Sequence, residues 1–336
     1  MTRLQTSVLL VAFALAAGLA AHAQKEGSVP TQALVAVDTN SVAPVTAETL
    51  TVTVNDHKVP LTAWTPVLPA NAQVALLIDD GLRQTFGREI DNLGSFMRTL
   101  SPGVEILIGY MQYGHIVVAQ PFTTDHTLAA STLHIPEGNP GMSGSPYICL
   151  SDFLKQWSGS GAVPSAISPA ASLLHKKRYV LMITDGVDPY NGSASVMNQG
   201  SPYVDNAIEE AQLAGVAVYA IYFGDAGMEG GMADNSGQNY LSQITQATGG
   251  VNYFEGVGNP VSTTPYLQRF QRAIAESYIA TFNAPAAGND PRGLVAVKFD
   301  VVKPPKPPKS KIKVPKVPAV KTTLHAPEKV HPGNVE

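Results

Sequence analysis

The sequence predicts an α/β fold, a doubly wound and mostly parallel sheet with helices on both faces. Three observations predict it. The runs "VALLID", "YVLMIT" and "VAVYAIYFG" are continuously apolar, as strands covered on both faces must be. The segments between them carry apolar residues at helical spacing. Polar, glycine-containing turns close two of these runs, "DDG" at 79–81 and "TDG" at 184–186. In a doubly wound sheet, ligands sit beyond those carboxyl ends of the strands.

The elements follow in order. Residues 1–23 read as a signal peptide: Arg3, the short apolar run "VLLVAFALAAGLA", then "AHA" before Gln24. Export to the periplasm or the extracellular space is expected. Residues 24–71 form an N-terminal β segment, irregular to about Gln32. "ALVAVDTNSV" follows, and then "ETLTVTVNDHKVPLTAWTPV", where Leu50, Val52 and Val54 alternate ahead of the turn residues Asn55 and Asp56.

The main domain is expected over 72–282. "VALLID" is its first strand, and Phe86, Ile90, Leu93, Met97 and Leu100 mark the helix after it. "GVEILIGYMQYG" and "HIVVAQPFT" form a tight antiparallel pair turning at Gly114. A short helix capped by Asp125 leads to the loop "PEGNPGMSGSP". The helix "YICLSDFLKQW" places Cys149, Leu150, Phe153 and Trp157 on one face. The pattern repeats through "RYVLMIT", "YVDNAIEEAQLAG", "VAVYAIYFG", "NYLSQITQATGG" and the short strand "VNYFEG". The stretch "TPYLQRFQRAIAESYIATF" reads as one long amphipathic helix reaching Phe282, with Pro265 in its first turn. Residues 283–336 form a C-terminal β segment. With the N-terminal one it makes a small accessory β element carrying a Lys/Pro-rich loop at 303–321, extended and solvated.

Composition narrows the function. The 336 residues are 44% hydrophobic and 14% charged, with a net charge of −4. Seven lysines lie in 303–321, so the rest holds 15 basic against 26 acidic side chains. An acidic body is a poor partner for a phosphate backbone, and nucleic acid is excluded. Cys149 is the single cysteine, so no internal disulfide forms, and the residue reads as a small buried hydrophobe. No later run is long enough to span a bilayer. The histidines His57, His115, His126, His134, His175, His325 and His331 are scattered. "GMSGS" lacks the strand that a nucleophile elbow needs. The glycines of 224–238 lack both the helix entry of a phosphate cradle and EF-hand spacing.

The strand "VALLID" with its polar loop, the helix "FGREIDNLGSFM", the loop "GMSGSPY", and the stretches "YVLMITDG", "VAVYAIYFG" and "ITQATGGVNYF" together resemble the von Willebrand factor type A domain. The acidic loops, export signal and β-rich flanks most resemble the secreted type A-related proteins of Acidobacteria. The resemblance covers about residues 51–282. It implies a non-catalytic adhesion or scaffold module that recognises another protein with the loops above the sheet.

It also implies a metal-ion-dependent adhesion site of the form Asp-x-Ser-x-Ser, a later Thr and a late Asp. Asp79 matches the first Asp, Ser145 falls at the Thr position and Asp185 matches the late Asp. Gly81 and Arg83 stand where the two serines belong. The site therefore reads as degenerate, with no cofactor or a weakly bound Mg²⁺, because two hydroxyl ligands are lost. Arg83 brings a permanent positive charge suited to pairing with a carboxylate. Asp80, Arg83, Tyr147 and Tyr190 are the expected contact surface. Two alternatives stand beside this reading. One is a metal-dependent hydrolase using Asp79, Asp185 and Ser145. The other is a structural envelope protein held to an anionic surface by the Lys/Pro-rich loop.

Overall fold

The computed structural model describes residues 27–39, 44–82, 84–138, 144–157, 176–188, 200–224, 231–253, 259–286, 290–302 and 321–334. The signal segment, Arg83, Tyr190 and nearly all of the Lys/Pro-rich loop lie outside these.

Five strands form the central sheet: β5 (Ala72–Asp79), β6 (Glu105–Gln112), β7 (His115–Thr123), β8 (Lys177–Thr184) and β9 (Val216–Tyr222), in the order β7-β6-β5-β8-β9. All neighbours are parallel except β6 and β7. That pair turns through Tyr113 and Gly114, both at positive φ, the backbone a two-residue hairpin requires. Chain order reverses around β5, as the apolar runs predict.

Alternation along β5 divides its side chains between two cores. Leu76 and Ile78 pack with Phe86, Leu93, Met97, Leu267 and Phe270. These come from or adjoin α1 (Ile90–Thr99) and α6 (Thr264–Ala275). Ala75 and Leu77 pack with Leu150, Phe153, Trp157, Val204 and Leu241 on the other face. There α3 (Pro146–Trp157), α4 (Pro202–Leu213) and α5 (Gly231–Thr248) cover the sheet. Each large side chain so buried contributes about 1.5–3 kcal/mol. The short helix α2 (His126–Ser131) starts where expected, with the Asp125 carboxylate accepting from the Thr127 and Leu128 amides.

The accessory β element is larger than the sequence suggests. Strands β1 (Ser28–Thr39), β4 (Leu61–Pro66), β10 (Ser277–Pro285) and β12 (Thr322–His325) form one sheet. Strands β2 (Leu50–Val54), β3 (His57–Val59), β11 (Val295–Val301) and β13 (Lys329–Val330) form a second. Val35, Val52, Phe282, Val297 and Phe299 fill the space between them.

Two expectations are corrected here. The segment around 27–32 is not irregular, since β1 begins at Ser28. The long helix to Phe282 does not exist. It stops at Ala275, and Ser277–Pro285 pairs with β1 over nine residues, from Ser28↔Pro285 to Ala36↔Ser277. "SYIATF" carries apolar residues that satisfy a helical period, but its aromatic and β-branched content suits a strand, and a waiting strand edge decides between them. The α/β part therefore closes near residue 275 rather than 282.

Candidate functional site

The carboxyl-end rim of the central sheet brings together the segments that carry Asp79, Ser145 and Asp185. Asp79 ends β5, and Asp185 follows the last residue of β8. Those strands are parallel neighbours in register at Ile78↔Ile183. The Thr184 hydroxyl donates to Asp79 Oδ2 at 2.6 Å, and the Gly81 amide donates to Asp79 Oδ1 at 2.9 Å. Thr184 Oγ1 also accepts from the Gly186 amide at 3.0 Å, and Asp185 Oδ1 accepts from the Val187 amide at 2.9 Å. Asp79 is buried and Asp185 is half-buried. Thr184 thus couples the two acidic loops. The sequence placed it in the "TDG" turn but gave no reason to assign it that task.

Glycine is required at this turn. Gly186 has φ +68°, and a Cβ there would lie 2.6 Å from Leu241 Cγ and 2.7 Å from the Gly237 carbonyl oxygen. A Cβ on Gly237 would lie 2.1 Å from the Asp185 carbonyl oxygen. Helix α5 therefore packs directly on the backbone of the Asp185 turn.

Ser145 immediately precedes α3. Its side chain is buried, and its hydroxyl has no hydrogen-bond partner. Tyr147, two residues further, corrects an expectation. It is fully buried rather than a contact aromatic, and its hydroxyl donates to the Gly186 carbonyl at 3.0 Å. Burial first, then the fields of Asp185 and Asp188, hold that phenol well above the usual tyrosine range. Its role is to fasten α3 to the Asp185 turn.

Asp80 is likewise corrected. It is 5% exposed, so it offers little contact surface. Its Oδ1 accepts from the Glu137 amide at 3.0 Å and its Oδ2 from the Gln112 side-chain amide at 2.9 Å. The Asp80 carbonyl accepts from the Gly138 amide at 3.1 Å. Asp188 is a buried acid of the same rim that the sequence reading passed over, hydrogen-bonded to the hydroxyl of Ser201, which caps α4. Tyr113 was also missed. It is 72% exposed at the β6–β7 turn, and only the glycine after it marks the position. Cys149 is buried, with its thiol pushed up to about 12 chiefly by burial, as suits a small buried hydrophobe.

Fit to a divalent cation can be tested on these donors. Asp79, Asp185 and the unpartnered Ser145 hydroxyl supply oxygens from three segments, while Gly81 supplies none. A hard cation needs six or more oxygens. These three side chains alone do not make a firm site. Among the described residues, no group of three or more His, Cys, Asp or Glu side chains could hold a metal.

No protein-family model and no curated protein matches this chain. Several solved structures are similar at low identity. A von Willebrand factor type A protein from Catenulispora acidiphila is 10% identical with a TM-score of 0.40, covering 91% of this chain and 74% of that one. An ArnB paralog, VWA2, from Sulfolobus acidocaldarius is 9% identical at 0.36, covering 89% and 76%. An aerotolerance-related membrane protein from Bacteroides fragilis is 10% identical at 0.37, covering 60% and 98%. The fold assignment for this chain rests on its own strand order. Among the described residues, no helix is long and apolar enough to cross a membrane.

Proposed function

We propose that this chain is an exported, non-catalytic protein-binding module of the von Willebrand factor type A kind. It recognises its partner with the loops above the carboxyl ends of the central strands and depends weakly or not at all on metal. One observation carries the reading. The rim that joins Asp79 to Asp185 is rigidly cross-linked by internal hydrogen bonds and ends in an exposed aromatic, Tyr113. Tyrosine is among the residue types enriched at the energetic centres of protein interfaces. The Ser145 hydroxyl has no hydrogen-bonded base beside it, which favours binding over hydrolysis. The signal-like segment at 1–23 supports export.

The test is capture from periplasmic and culture-medium fractions on the immobilised mature chain, with and without EDTA. We expect one retained protein, unchanged by EDTA and lost with Tyr113→Ser. Equal capture by the wild type and Tyr113→Ser would move the contact surface off this rim. A rise in melting temperature in millimolar Mg²⁺ would restore the metal-dependent reading, since a bound ion stabilises the folded state by mass action.

A further inference from the structure

A second site lies where the sandwich meets α6, and it shares no residue with the rim. A cavity of about 50 Å³ is lined by Asp38 of β1, Tyr253, Arg269 and Arg272 of α6, Glu276, and His325 of β12. Holding one water takes roughly 10–15 Å³ on this measure, so several polar groups fit. Register fixes the wall opposite the helix, since Ala36 pairs with His325 and Asp38 lies two residues on. Arg269 and Arg272 are three apart on α6 and so share a face.

Two features of this lining bear on a ligand. Tyr253 is 7% exposed, yet its hydroxyl has no hydrogen-bond partner. Its ring is held in place, stacked on Tyr219 at 5.9 Å and 16°, with the Arg269 guanidinium 5.0 Å from its centroid. Such an orphaned buried donor is costly unless something accepts from it. In addition, Arg269, Arg272 and Asp38 are exposed and neither guanidinium is in an ion pair among the described residues, so these charges stay open to a ligand. Burial above all raises the Tyr253 pKa, with Arg269 opposing it and Asp38 adding to it, so charges of both signs act on this hydroxyl.

The geometry points to a binding site for a small zwitterion bearing one carboxylate and one ammonium group, of the α-amino acid class. The carboxylate accepts from the Tyr253 hydroxyl and faces Arg269 and Arg272. The ammonium faces Asp38 and Glu276. A simple anion would meet the two carboxylates, and a simple cation the two guanidiniums; a ligand with both charges can pair with both sets of side chains. Burial lowers the His325 pKa, opposed by Asp38 and aided by Arg269, so near neutral pH the imidazole adds no charge to the balance.

Calorimetric titration of the full mature chain with L-alanine, acetate and methylammonium tests this. L-Alanine is expected to bind at least ten-fold more tightly than either half-ligand. Arg269→Gln, Asp38→Asn and Tyr253→Phe should each weaken L-alanine at least ten-fold, and Asp185→Asn should leave it unchanged. Tyr253→Phe removes one oxygen from a ring that stays stacked, so folding is preserved. Acetate binding as tightly as L-alanine would overturn the zwitterion in favour of an anion pocket. No heat with any of the three, or full affinity in Tyr253→Phe, would make the cavity a water-filled joint.

Discussion

At Asp80 the two carboxylate oxygens are divided between two segments, the Glu137 backbone and the Gln112 side chain. The loop they hold also carries His134, whose backbone exchanges two hydrogen bonds with the Tyr110 hydroxyl at 2.7 and 2.8 Å. Burial, the largest influence, pushes that phenol up to about 12. Removing a buried acceptor leaves its donors unpaired at about 1–3 kcal/mol each. Asp80→Ala is therefore expected to cost about 2–4 kcal/mol, read as a lower urea midpoint at unchanged slope. Asp185→Asn, at a half-buried position, should cost far less. An unchanged midpoint for Asp80→Ala would mean the 133–138 loop is held by other means. The sequence showed two adjacent acids after a strand. It could not show that one faces a segment 57 residues away. Tyr147 was misread for the same reason, since its partner Gly186 is 39 residues distant.

Among the elements, the buried strands and the helices with clear periodicity were legible, because their patterns are local. The junction of α6 and β10 was not. Its residues fit both periods, and the nine-residue pairing with β1 that decides the matter is non-local. The start of α6 is likewise set from a distance. Glu89 is buried beside α1, and its Oε2 accepts from the Thr263 amide at 2.9 Å, the Thr263 hydroxyl at 2.6 Å and the Asn92 amide at 2.8 Å. Thr263 itself makes no side-chain cap. A charged acceptor from another element thus stands in for the local cap, near the positive end of the helix dipole. Hydrogen bonds to charged groups contribute about 1.5–3 kcal/mol. Glu89→Gln, which keeps the shape and removes the charge, is expected to cost about 1–2 kcal/mol. It should also raise amide exchange in the first turn of α6 before the rest of that helix. Uniform protection across α6 in the variant would show that Glu89 does not set its start.

At the scale of the whole molecule, the α/β part and the sandwich are joined through backbone as well as side chains. The Val37 amide of β1 donates to the Glu276 carbonyl, just after α6, at 3.0 Å. Near the C-terminus, the Glu328 amide donates to the Ala247 carbonyl of α5 at 3.0 Å. The "ATGG" stretch, which the sequence offered only as a helix end and a family resemblance, lies inside this joint. Gly249 has φ +81°, and a Cβ there would sit 2.7 Å from the Ala326 and Pro327 backbone. A Cβ on Gly250 would lie 1.9 Å from the Val218 carbonyl oxygen of β9. Backbone cannot retreat as a side-chain tip can, so Gly249→Ala must displace the Ala326–Pro327 segment between β12 and β13. Overpacking of this kind costs about 1–3 kcal/mol and more where backbone must move, so about 3 kcal/mol is expected. Because the same contact braces both parts, the variant should lose sandwich and sheet together, in one transition whether followed by tryptophan fluorescence or by far-ultraviolet circular dichroism. Trp64 lies in the sandwich and Trp157 in the α/β core, so fluorescence reports on both. Gly200→Ala, with nothing within 4 Å of its added carbon, is the control and should stay within about 0.5 kcal/mol of wild type. Two separated transitions in Gly249→Ala would show that the parts are only tethered, and that the joint transmits no stability between them.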